Sequence, residues 1–210
     1  MTTQTQQQNS PQHHDEHILV VRRSHLFPQG DWHGLANIDF DHYVHIIDHK
    51  KEFHPRSLME TDPTYKQIIP YLVFTHNNTF FLMQRSATAS ETRLQNKLSL
   101  GIGGHVRQED ITENSLFAWA TREFHEEINY AGNVTVKPLG ILNDDSNDVG
   151  KVHIGFVLLL TGDSPDISVK SELKSGTLVS LEDCIAQKEC MESWSQFVVD
   201  FLVNISKGSE

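Results

Sequence analysis

Three glutamates lie close together in residues 122–127, which read Arg-Glu-Phe-His-Glu-Glu. On a helix Glu123, Glu126 and Glu127 are neighbours, because residues three and four apart share a face. Like charges at this spacing destabilise a helix unless a cation lies over them, and Arg122 cannot neutralise all three. Carboxylate oxygens are preferred ligands of Mg²⁺ and Mn²⁺. The stretch therefore indicates a divalent-cation site, and a solvated acidic helix face is the simpler alternative.

The segment before the glutamates contains three glycines among apolar residues, in the order Ser-Leu-Gly-Ile-Gly-Gly-His-Val over residues 99–106. Glycine inside a strand often marks a place where another group approaches the backbone closely. After a polar turn, an apolar stripe at helical spacing predicts a helix whose acids lie beside the stripe. That stripe consists of Phe117, Ala120, Phe124 and Ile128. The predicted unit is a strand, a glycine loop and a helix with its carboxylates directed towards the loop.

The ends of this helix also carry signals. Asp110 and Glu113 have the spacing of a capping box, and Asn114 is a competing N-cap. Asn129 follows the last apolar residue, where a helix commonly ends in left-handed geometry. We therefore expect the helix to begin near residue 110 or 114 and to end at Asn129.

Together these residues resemble the Nudix box, Gly-x5-Glu-x7-Arg-Glu-U-x-Glu-Glu-x-Gly-U, in which U is apolar. The second half matches at every fixed position, and Gly103 and Gly104 are similar to the glycine pair of the family. The matching positions are Arg122, Glu123, Phe124, Glu126 and Glu127. The resemblance implies one to three bound divalent ions, a metal contact from the Gly103 carbonyl, and hydrolysis of a diphosphate linkage.

The loop half of the box departs from this pattern. Gly104 and Arg122 are eighteen positions apart, four more than the box has. The first glutamate of the box falls on Asn114, so Glu109 or Glu113 would have to replace it. The longer loop, together with residues 66–71, looks like a less characterised bacterial branch of the family. The metal-binding half of the box is intact, whereas the role of the first glutamate is open.

The resemblance assigns roles to individual residues. We expect Glu126 and Glu127 to be the main metal ligands, with Glu123 as a ligand or general base and Arg122 orienting the carboxylates. The predicted catalytic residues are thus Glu123, Arg122 and Glu127, and the predicted metal ligands are Gly103, Glu123, Glu126 and Glu127. The cations that precede the glycine strand are candidates for binding substrate phosphate. These are Arg85, Arg93 and Lys97.

Two other functions are compatible with the sequence. The altered loop would also suit a Nudix domain that binds a nucleotide-like ligand without cleaving it, as a sensor or regulatory module. An isomerase of isoprenoid diphosphates shares the fold, but its chemistry needs a cysteine on a central strand. Cys184 and Cys190 instead fall near the predicted C-terminal helices.

Two further clusters could supply ligands. Asp144, Asp145 and Asp148 lie in a loop between strands, where family members often draw an extra ligand or base, although a solvated turn is the simpler interpretation. The chain has 13 histidines. His42, His45 and His49 would share a helix face, but the same stretch is at least as strand-like, so a histidine metal site is not expected. His153 is interpreted as a strand residue.

The elements that must position the site alternate between strands and helices, which favours a mixed α/β sheet between helices. The resemblance specifies a Nudix α/β/α sandwich with an N-terminal extension. Strands are predicted near residues 18–22, 43–47, 68–75, 79–85, 98–106, 134–142, 152–160 and 173–180, and helices near 181–188 and 192–204. Residues 75–79 are expected to form a hairpin turn.

Composition bounds what remains. The chain has 210 residues and a net charge of −11, which argues against binding polymeric nucleic acid. We expect a disordered tail over residues 1–14, an extension packed on the core over 15–65, and the Nudix domain over 66–206. No apolar run is long enough to span a bilayer, so the cytoplasm is the expected location. The expected partner is a small-molecule diphosphate. The sequence is also compatible with a homodimer.

Overall fold

The structure is a computed structural model that describes residues 15–85, 97–111, 116–170 and 173–207. The side chains of Arg85, Asp110, Leu116 and Phe117 lie outside this description. The predicted tail, Arg93 and the two capping candidates Glu113 and Asn114 also lie outside the described residues.

Twelve strands occur among the described residues. They are β1 (His17–Arg22), β2 (Gly34–Ala36), β3 (Glu52–Pro55), β4 (Tyr65–His76), β5 (Thr79–Arg85), β6 (Leu98–Ser99), β7 (Gly101–Gly103), β8 (Ile128–Tyr130), β9 (Val134–Asn143), β10 (His153–Gly162), β11 (Ile167–Val169) and β12 (Leu173–Val179).

The same part of the chain contains seven α-helices. They are α1 (Arg23–Leu26), α2 (Phe40–Lys50), α3 (Arg56–Met59), α4 (Leu116–Glu127), α5 (Asp148–Val152), α6 (Leu181–Ala186) and α7 (Ser193–Lys207). Short 3₁₀ turns lie at Gln108–Asp110 and Lys188–Cys190.

A mixed sheet forms the centre of the described structure, with the strand order β12-β5-β4-β10-β9-β2. Strands β4 and β10 pair in parallel, and β10 pairs with β9 in antiparallel orientation. Strand β7 pairs with β4 so that Gly103 lies opposite Tyr71, which places the glycine segment against the longest strand. Strands β8 and β11 form a separate two-stranded ribbon.

Helices cover both faces of this sheet. Trp119, Ala120 and Phe124 of α4 share one core cluster with Phe40 and Ile47 of α2. On the other face, residues of α6 and α7 bury their apolar sides against Tyr71 and Val73. The molecule is therefore an α/β/α sandwich, which confirms the predicted fold class. The two faces of β4 separate the clusters because successive side chains on a strand point to opposite sides.

Segment 15–65 joins the same sheet. Strand β1 pairs with β4, and β2 extends the sheet at β9. Trp32 fastens the segment further, since its Nε1–H donates to the Ile141 carbonyl and its own carbonyl accepts from the Asn143 side chain. The segment therefore completes the central sheet on both sides of the core strands.

Several local expectations can be compared directly. The hairpin between β4 and β5 forms as predicted, with Asn77 and Asn78 at positive φ. The predicted strand at 43–47 is wrong, because residues 40–50 form α2, whose N-cap Asp39 accepts from the His42 backbone N–H. The left-handed end at Asn129 is also wrong. The chain passes from α4 directly into β8, where Asn129 pairs with Ser168 of β11.

Candidate functional site

Helix α4 presents its acidic face because its apolar face is buried. Ala120 and Phe124 of the helix, and Ile128 directly after it, are between 1% and 3% exposed and belong to the core cluster on the sheet. Phe124 stacks on Phe74 of β4, with ring centroids 5.9 Å apart. This packing fixes the rotation of the helix, so that Glu126 lies at the surface while Glu123 and Glu127 are partly buried.

Arg122 lies between two of the three acids. Its Nη1 atom is 2.5 Å from Glu126 Oε1, and its Nη2 atom is 3.6 Å from Glu123 Oε2. A single guanidinium offsets part of the repulsion and holds the two carboxylates in a defined arrangement. Glu127 adds a third carboxylate to the last turn of the same helix, so the carboxylates of this face outnumber its guanidinium.

Gly104 packs directly against the Glu123 carboxylate. A Cβ atom built on Gly104 would lie 2.0 Å from Glu123 Oε1 and 2.5 Å from Cδ, which are impossible distances for non-bonded atoms. Glu123 can therefore lie this close only because residue 104 has no side chain, and no left-handed backbone is involved. This contact brings the loop backbone next to the acidic helix face, as the sequence predicted.

The glycine strand is anchored from the other face of the sheet by Tyr71. A Cβ atom on Gly101 would lie 1.9 Å from the Tyr71 ring, so glycine lets that ring cross the strand. The Tyr71 hydroxyl donates to Glu192, and Ser195 Oγ contacts both groups and accepts from the Leu100 backbone N–H at 2.8 Å. Burial raises the pKa of Tyr71 well above its ordinary value. The hydroxyl therefore stays protonated and keeps its donor role.

Lys170 secures the C-terminal end of α4. Its ammonium donates to the His125 carbonyl, and its backbone N–H donates to the Glu127 carbonyl at 2.8 Å. A cation at a helix C-terminus satisfies carbonyls that have no partner within the helix and interacts favourably with the helix dipole. Lys170 therefore holds the turn that carries Glu126 and Glu127.

This arrangement fits a hard divalent cation. The donor set consists of three carboxylates on adjacent helical turns, together with a glycine backbone that approaches one of them within contact distance. Mg²⁺ and Mn²⁺ prefer oxygen ligands, and a helix face on which three carboxylates accompany the Arg122 guanidinium suits such an ion. Glu123, Glu126 and Glu127 could hold the ion, with a carbonyl of the glycine segment as a further donor.

Two of the three predicted phosphate-binding residues can be placed relative to the strands. Arg85 is the last residue of β5, and Lys97 is exposed immediately before β6. Glu109, a candidate for the missing first glutamate, lies in the 3₁₀ turn after the glycine segment with its Oε1 atom 4.0 Å from Arg107 Nε. Arg93 and the other substitute, Glu113, lie outside the described residues.

The aspartate loop after β9 is not a solvated turn. Asp144 is fully buried and accepts from Ser146 and Asn147. Asp145 binds Arg23 and Lys66, and these cations hold the pKa of its carboxyl well below the ordinary value in spite of burial. Asp148 alone is solvated, and it pairs with Lys151. The favoured solvated-turn interpretation is therefore wrong for Asp144 and Asp145, because both carboxylates form structural contacts.

His105 and His153, for which the sequence predicted no common site, come together. His105 Nε2 lies 2.7 Å from Gln67 Oε1 and 3.2 Å from His153 Nε2. Burial, with added contributions from Arg56 and His153, holds the pKa of His105 well below its ordinary value. The two histidines are 48 positions apart in the chain, and no motif spacing connects them. Only the pairing of β10 with β4 places His153 beside Gln67.

The histidines of α2 and the two cysteines lie apart from this pair. His45 and His49 share an exposed face of α2, with ring centroids 4.0 Å apart. Cys184 is buried in α6, where burial raises the pKa of its thiol to about 11, and Cys190 is exposed in a 3₁₀ turn. Neither cysteine lies on a central strand, in agreement with the argument against isoprenoid isomerase chemistry.

Known proteins provide an independent comparison. The chain is 40% identical to Protein YmaB of Bacillus subtilis (strain 168) over 205 residues, covering 90% of this chain and 98% of YmaB. The solved structure of Tm1382, a proposed Nudix hydrolase, superimposes with a TM-score of 0.78 and 29% identity, covering 90% of this chain and all of Tm1382. The chain belongs to the Nudix superfamily. Within it, this Nudix protein and YmaB belong to one family.

More distant Nudix structures share the fold alone. The Nudix domain of Shewanella oneidensis NrtR, solved with ADP ribose, has a TM-score of 0.53 and 11% identity, and covers 66% of this chain and 87% of that domain. No protein-family model matches this Nudix protein. Among the helices of its described residues, none combines the length and apolar character that crossing a membrane requires.

Proposed function

We propose that the protein is a divalent-metal-dependent hydrolase of a phosphoanhydride linkage in a nucleoside-diphosphate-type small molecule. The observation that carries the proposal is the packing of Glu123 on Gly104 beside Arg122 and Glu126, because it joins both halves of the Nudix box in one site. Membership of the Nudix superfamily supports hydrolase chemistry. The Nudix domain of NrtR holds ADP ribose, which supports a nucleotide-like ligand.

The chemistry follows from charge. A diphosphate is an anion that repels an attacking hydroxide, and this protein carries a net charge of −11. Bound Mg²⁺ or Mn²⁺ would neutralise the diphosphate and lower the pKa of bound water. The protein must therefore supply ionised oxygen ligands at one place, which is what a cluster of glutamates around one arginine provides.

We assign distinct roles to the residues of the site. Glu126 and Glu127 serve as main ligands, together with the backbone carbonyl of Gly103. Glu123, held against Gly104, serves as a ligand or accepts the proton from the attacking water. Arg122 keeps Glu123 and Glu126 apart and correctly turned.

Substrate phosphates need cationic partners beyond the metal. Lys97 is exposed beside the glycine strand, and Arg85 ends β5, so both are proposed to contact the phosphates, together with Arg93. Such contacts would add charge-assisted hydrogen bonds to the bound diphosphate. Variants at these positions are expected to raise KM more than they lower kcat, because ground-state and transition-state phosphates carry similar charge there.

The test is a substrate screen with a matched pair of variants. Nucleotide, dinucleotide, nucleotide-sugar and coenzyme diphosphates are incubated with the protein in Mg²⁺ or Mn²⁺. Glu127→Gln removes one ligand charge at nearly unchanged shape, and kcat/KM is expected to fall at least a hundredfold, about 2.7 kcal/mol of transition-state stabilisation. Glu182→Gln, at an exposed position of α6, is the control and should leave turnover unchanged.

The outcomes separate the two candidate functions. Metal-dependent product that disappears in Glu127→Gln supports the hydrolase. Equal turnover by the wild type and Glu127→Gln on an identified substrate would refute the assignment of the site. Calorimetric binding of a nucleotide with no product after long incubation would instead identify a binding module.

A further inference from the structure

Three potential metal ligands converge at a place away from the acidic face of α4. Glu60 follows α3, His105 follows the glycine segment, and His153 begins β10. Each offers one ligand atom, and these atoms all lie within 4.8 Å of one another. We propose that Glu60, His105 and His153 form a second metal site, which binds a transition-metal dication of the Zn²⁺ type.

The distance between the two imidazoles matches shared coordination. His105 Nε2 and His153 Nε2 are 3.2 Å apart. Two nitrogens that bind the same Zn²⁺ in tetrahedral geometry, each at about 2.0–2.1 Å from the ion, are about 3.3 Å apart. The rings therefore need almost no rearrangement to accept the ion.

His153 is held in the tautomer that a metal ligand requires. Its Nδ1 atom lies 2.7 Å from the Val149 carbonyl, which accepts a hydrogen bond, so Nδ1 carries the proton. The lone pair is then on Nε2, the atom directed at His105. A backbone carbonyl that orients the second ring nitrogen is the usual support of a metal-binding histidine. His153 is 5% exposed, and the Lys66 ammonium also binds its carbonyl at 3.1 Å, so the residue is rigidly placed.

Gln67 supplies a fourth potential ligand atom, its Oε1 oxygen, and fixes the proton of His105. Its Nε2 donates to the Met59 carbonyl at 3.1 Å, which directs its Oε1 at His105 Nε2. In this arrangement His105 carries its proton on Nε2 and donates it to Gln67. On metal binding that proton shifts to Nδ1 through exchange with solvent, so the ring stays neutral and Nε2 becomes the ligand. Imidazole ligands favour Zn²⁺, Ni²⁺ or Co²⁺ over Mg²⁺.

Glu60 supplies the negative charge of the proposed site and lies at its outer end. Its side chain is 38% exposed, and its Oε1 atom accepts from Arg56 Nε at 3.1 Å, so the cluster has one member at the protein surface. One carboxylate with two neutral imidazoles is a common Zn²⁺ set that leaves a position for water or Gln67. The ligand atoms lie within 4.8 Å of one another, whereas two ligands of one Zn²⁺ are about 3.3 Å apart, so the carboxylate at the surface has to move closer to the imidazoles.

The site lies on the reverse side of the sheet from α4. Ile68 and Leu72 of β4 belong to the cluster that contains Phe124, whereas Tyr71 belongs to the cluster beneath α7. Gln67 shares the side of Tyr71, because alternate strand residues face the same way. Consecutive residues of the loop thus serve different sites, with Gly104 packed on Glu123 and His105 directed at Gln67 and His153.

The test measures Zn²⁺ binding to the full chain by calorimetry in excess Mg²⁺, which occupies carboxylate sites. The parent and every variant carry His45→Gln and His49→Gln, which remove the exposed histidine pair of α2. Glu60→Gln is expected to weaken Zn²⁺ binding at least tenfold. His153→Gln is expected to abolish the high-affinity Zn²⁺ binding seen in the titration. Glu16→Gln is the matched control, because Glu16 also pairs with Arg56 at the surface but lies outside the cluster. Circular dichroism confirms that each variant is folded.

Two further measurements make the result decisive. Co²⁺ in place of Zn²⁺ should give visible absorption typical of four- or five-coordination with nitrogen ligands, and His105→Gln should remove it. Glu127→Gln should leave Zn²⁺ binding unchanged, which separates this site from the proposed hydrolase site. Equal Zn²⁺ affinity in the parent, Glu60→Gln and His153→Gln, or the absence of saturable binding, would overturn the proposal.

Discussion

At the scale of single residues, the site depends on where a side chain is absent. Gly104 has ordinary backbone geometry, because the positive φ values of the described glycines fall at Gly30, Gly34 and Gly140. Its requirement is space for the Glu123 carboxylate, which occupies the volume of the missing Cβ atom. The close fit between this carboxylate and the glycine backbone therefore helps to fix the orientation of Glu123.

Gly104→Ala should therefore damage the site more than the fold. The new methyl group must push Glu123 away from the glycine segment, and we expect kcat/KM to fall at least tenfold, about 1.4 kcal/mol. The metal concentration for half-maximal activity should rise in parallel. Steady-state kinetics over a range of Mn²⁺ concentrations measure both quantities.

The control for this prediction is Gly30→Ala. Gly30 has φ +104° and no atom within 4 Å of the place where a Cβ atom would lie, so alanine there is strained but meets no neighbour. It should lower the free energy of unfolding by about 1–3 kcal/mol and leave kcat/KM unchanged. Full activity in Gly104→Ala would contradict the packing argument.

At the scale of elements, α4 depends on the strand that follows it. The helix ends directly in β8, and the β8–β11 ribbon brings Lys170 back to the last carbonyls of α4. The usual glycine at a helix C-terminus is thus replaced by tertiary contacts. This explains how the helix is held in place with Asn129 at the position of the late glycine of the box.

Lys170→Ala should loosen the final turn of α4. Loss of a cation at a helix C-terminus costs about 0.3–1 kcal/mol, and the turn affected carries Glu126 and Glu127. We expect a small drop in the free energy of unfolding, measured by urea denaturation, and weaker Mn²⁺ binding, measured by calorimetry. Lys174→Ala, at an exposed position of β12, should change neither quantity. Wild-type Mn²⁺ affinity in Lys170→Ala would show that the cap does not position the acids.

At the scale of the whole molecule, one ion-pair network ties segment 15–65 to the core strands. Lys66 is fully buried in β4, and its ammonium contacts Asp145 Oδ1 and the Gly150 carbonyl, each at 2.7 Å. Arg23, from the N-terminal segment, binds the same carboxylate. Asp145 therefore compensates a buried charge and fastens α1 to the loop after β9.

Asp145→Asn should be strongly destabilising. Removing one partner leaves the Lys66 ammonium buried with less compensation, which costs about 3 kcal/mol in comparable buried pairs. Asp148→Asn is the matched control, because Asp148 is 98% exposed and pairs with Lys151 at the surface. Its replacement should lower the free energy of unfolding much less, because an ion pair in solvent contributes little. Urea denaturation at pH 7 measures both, and equal costs would refute the structural role of Asp145.

The contacts of the Asp145 carboxylate also predict that the free energy of unfolding depends on pH. The pKa of Asp145 is lowered in the folded state by its hydrogen bonds to Arg23 and Lys66, which outweigh desolvation. Its contribution is therefore complete above the unfolded-state pKa, about 3.9, and is lost as the pH falls from there towards the folded-state pKa. The stability difference between the wild type and Asp145→Asn should be smaller at pH 3 than at pH 7. A difference that does not change with pH would contradict the assignment.

Related proteins cover different shares of the chain. YmaB and Tm1382 each match 90% of it, whereas the NrtR Nudix domain matches 66%. Residues 66–206 make up about that smaller share. We propose that residues 66–206 are the common Nudix domain and that segment 15–65 is shared with relatives such as YmaB.

The sequence by itself determined the features that depend on neighbouring residues. The β4–β5 hairpin follows from Asn77 and Asn78, which tolerate positive φ, and the acidic face of α4 follows from helical spacing. The match to the box also indicated the sandwich fold. In contrast, α2 was ambiguous, because Tyr43-Val44-His45-Ile46-Ile47 suits a strand until Phe40 and Ile47 are buried against the sheet.

Only the tertiary structure decided which distant residues meet. The joining of Lys66 to Asp145, of Lys170 to the end of α4 and of His105 to His153 depends on strand register and chain crossovers, which no local pattern encodes. Burial then forces Lys66 and His153 into internal contacts, since a charge or an imidazole without water must find a partner within the protein. The sequence thus determined the acidic helix, and the sheet determined which residues contact that helix and its glycine loop.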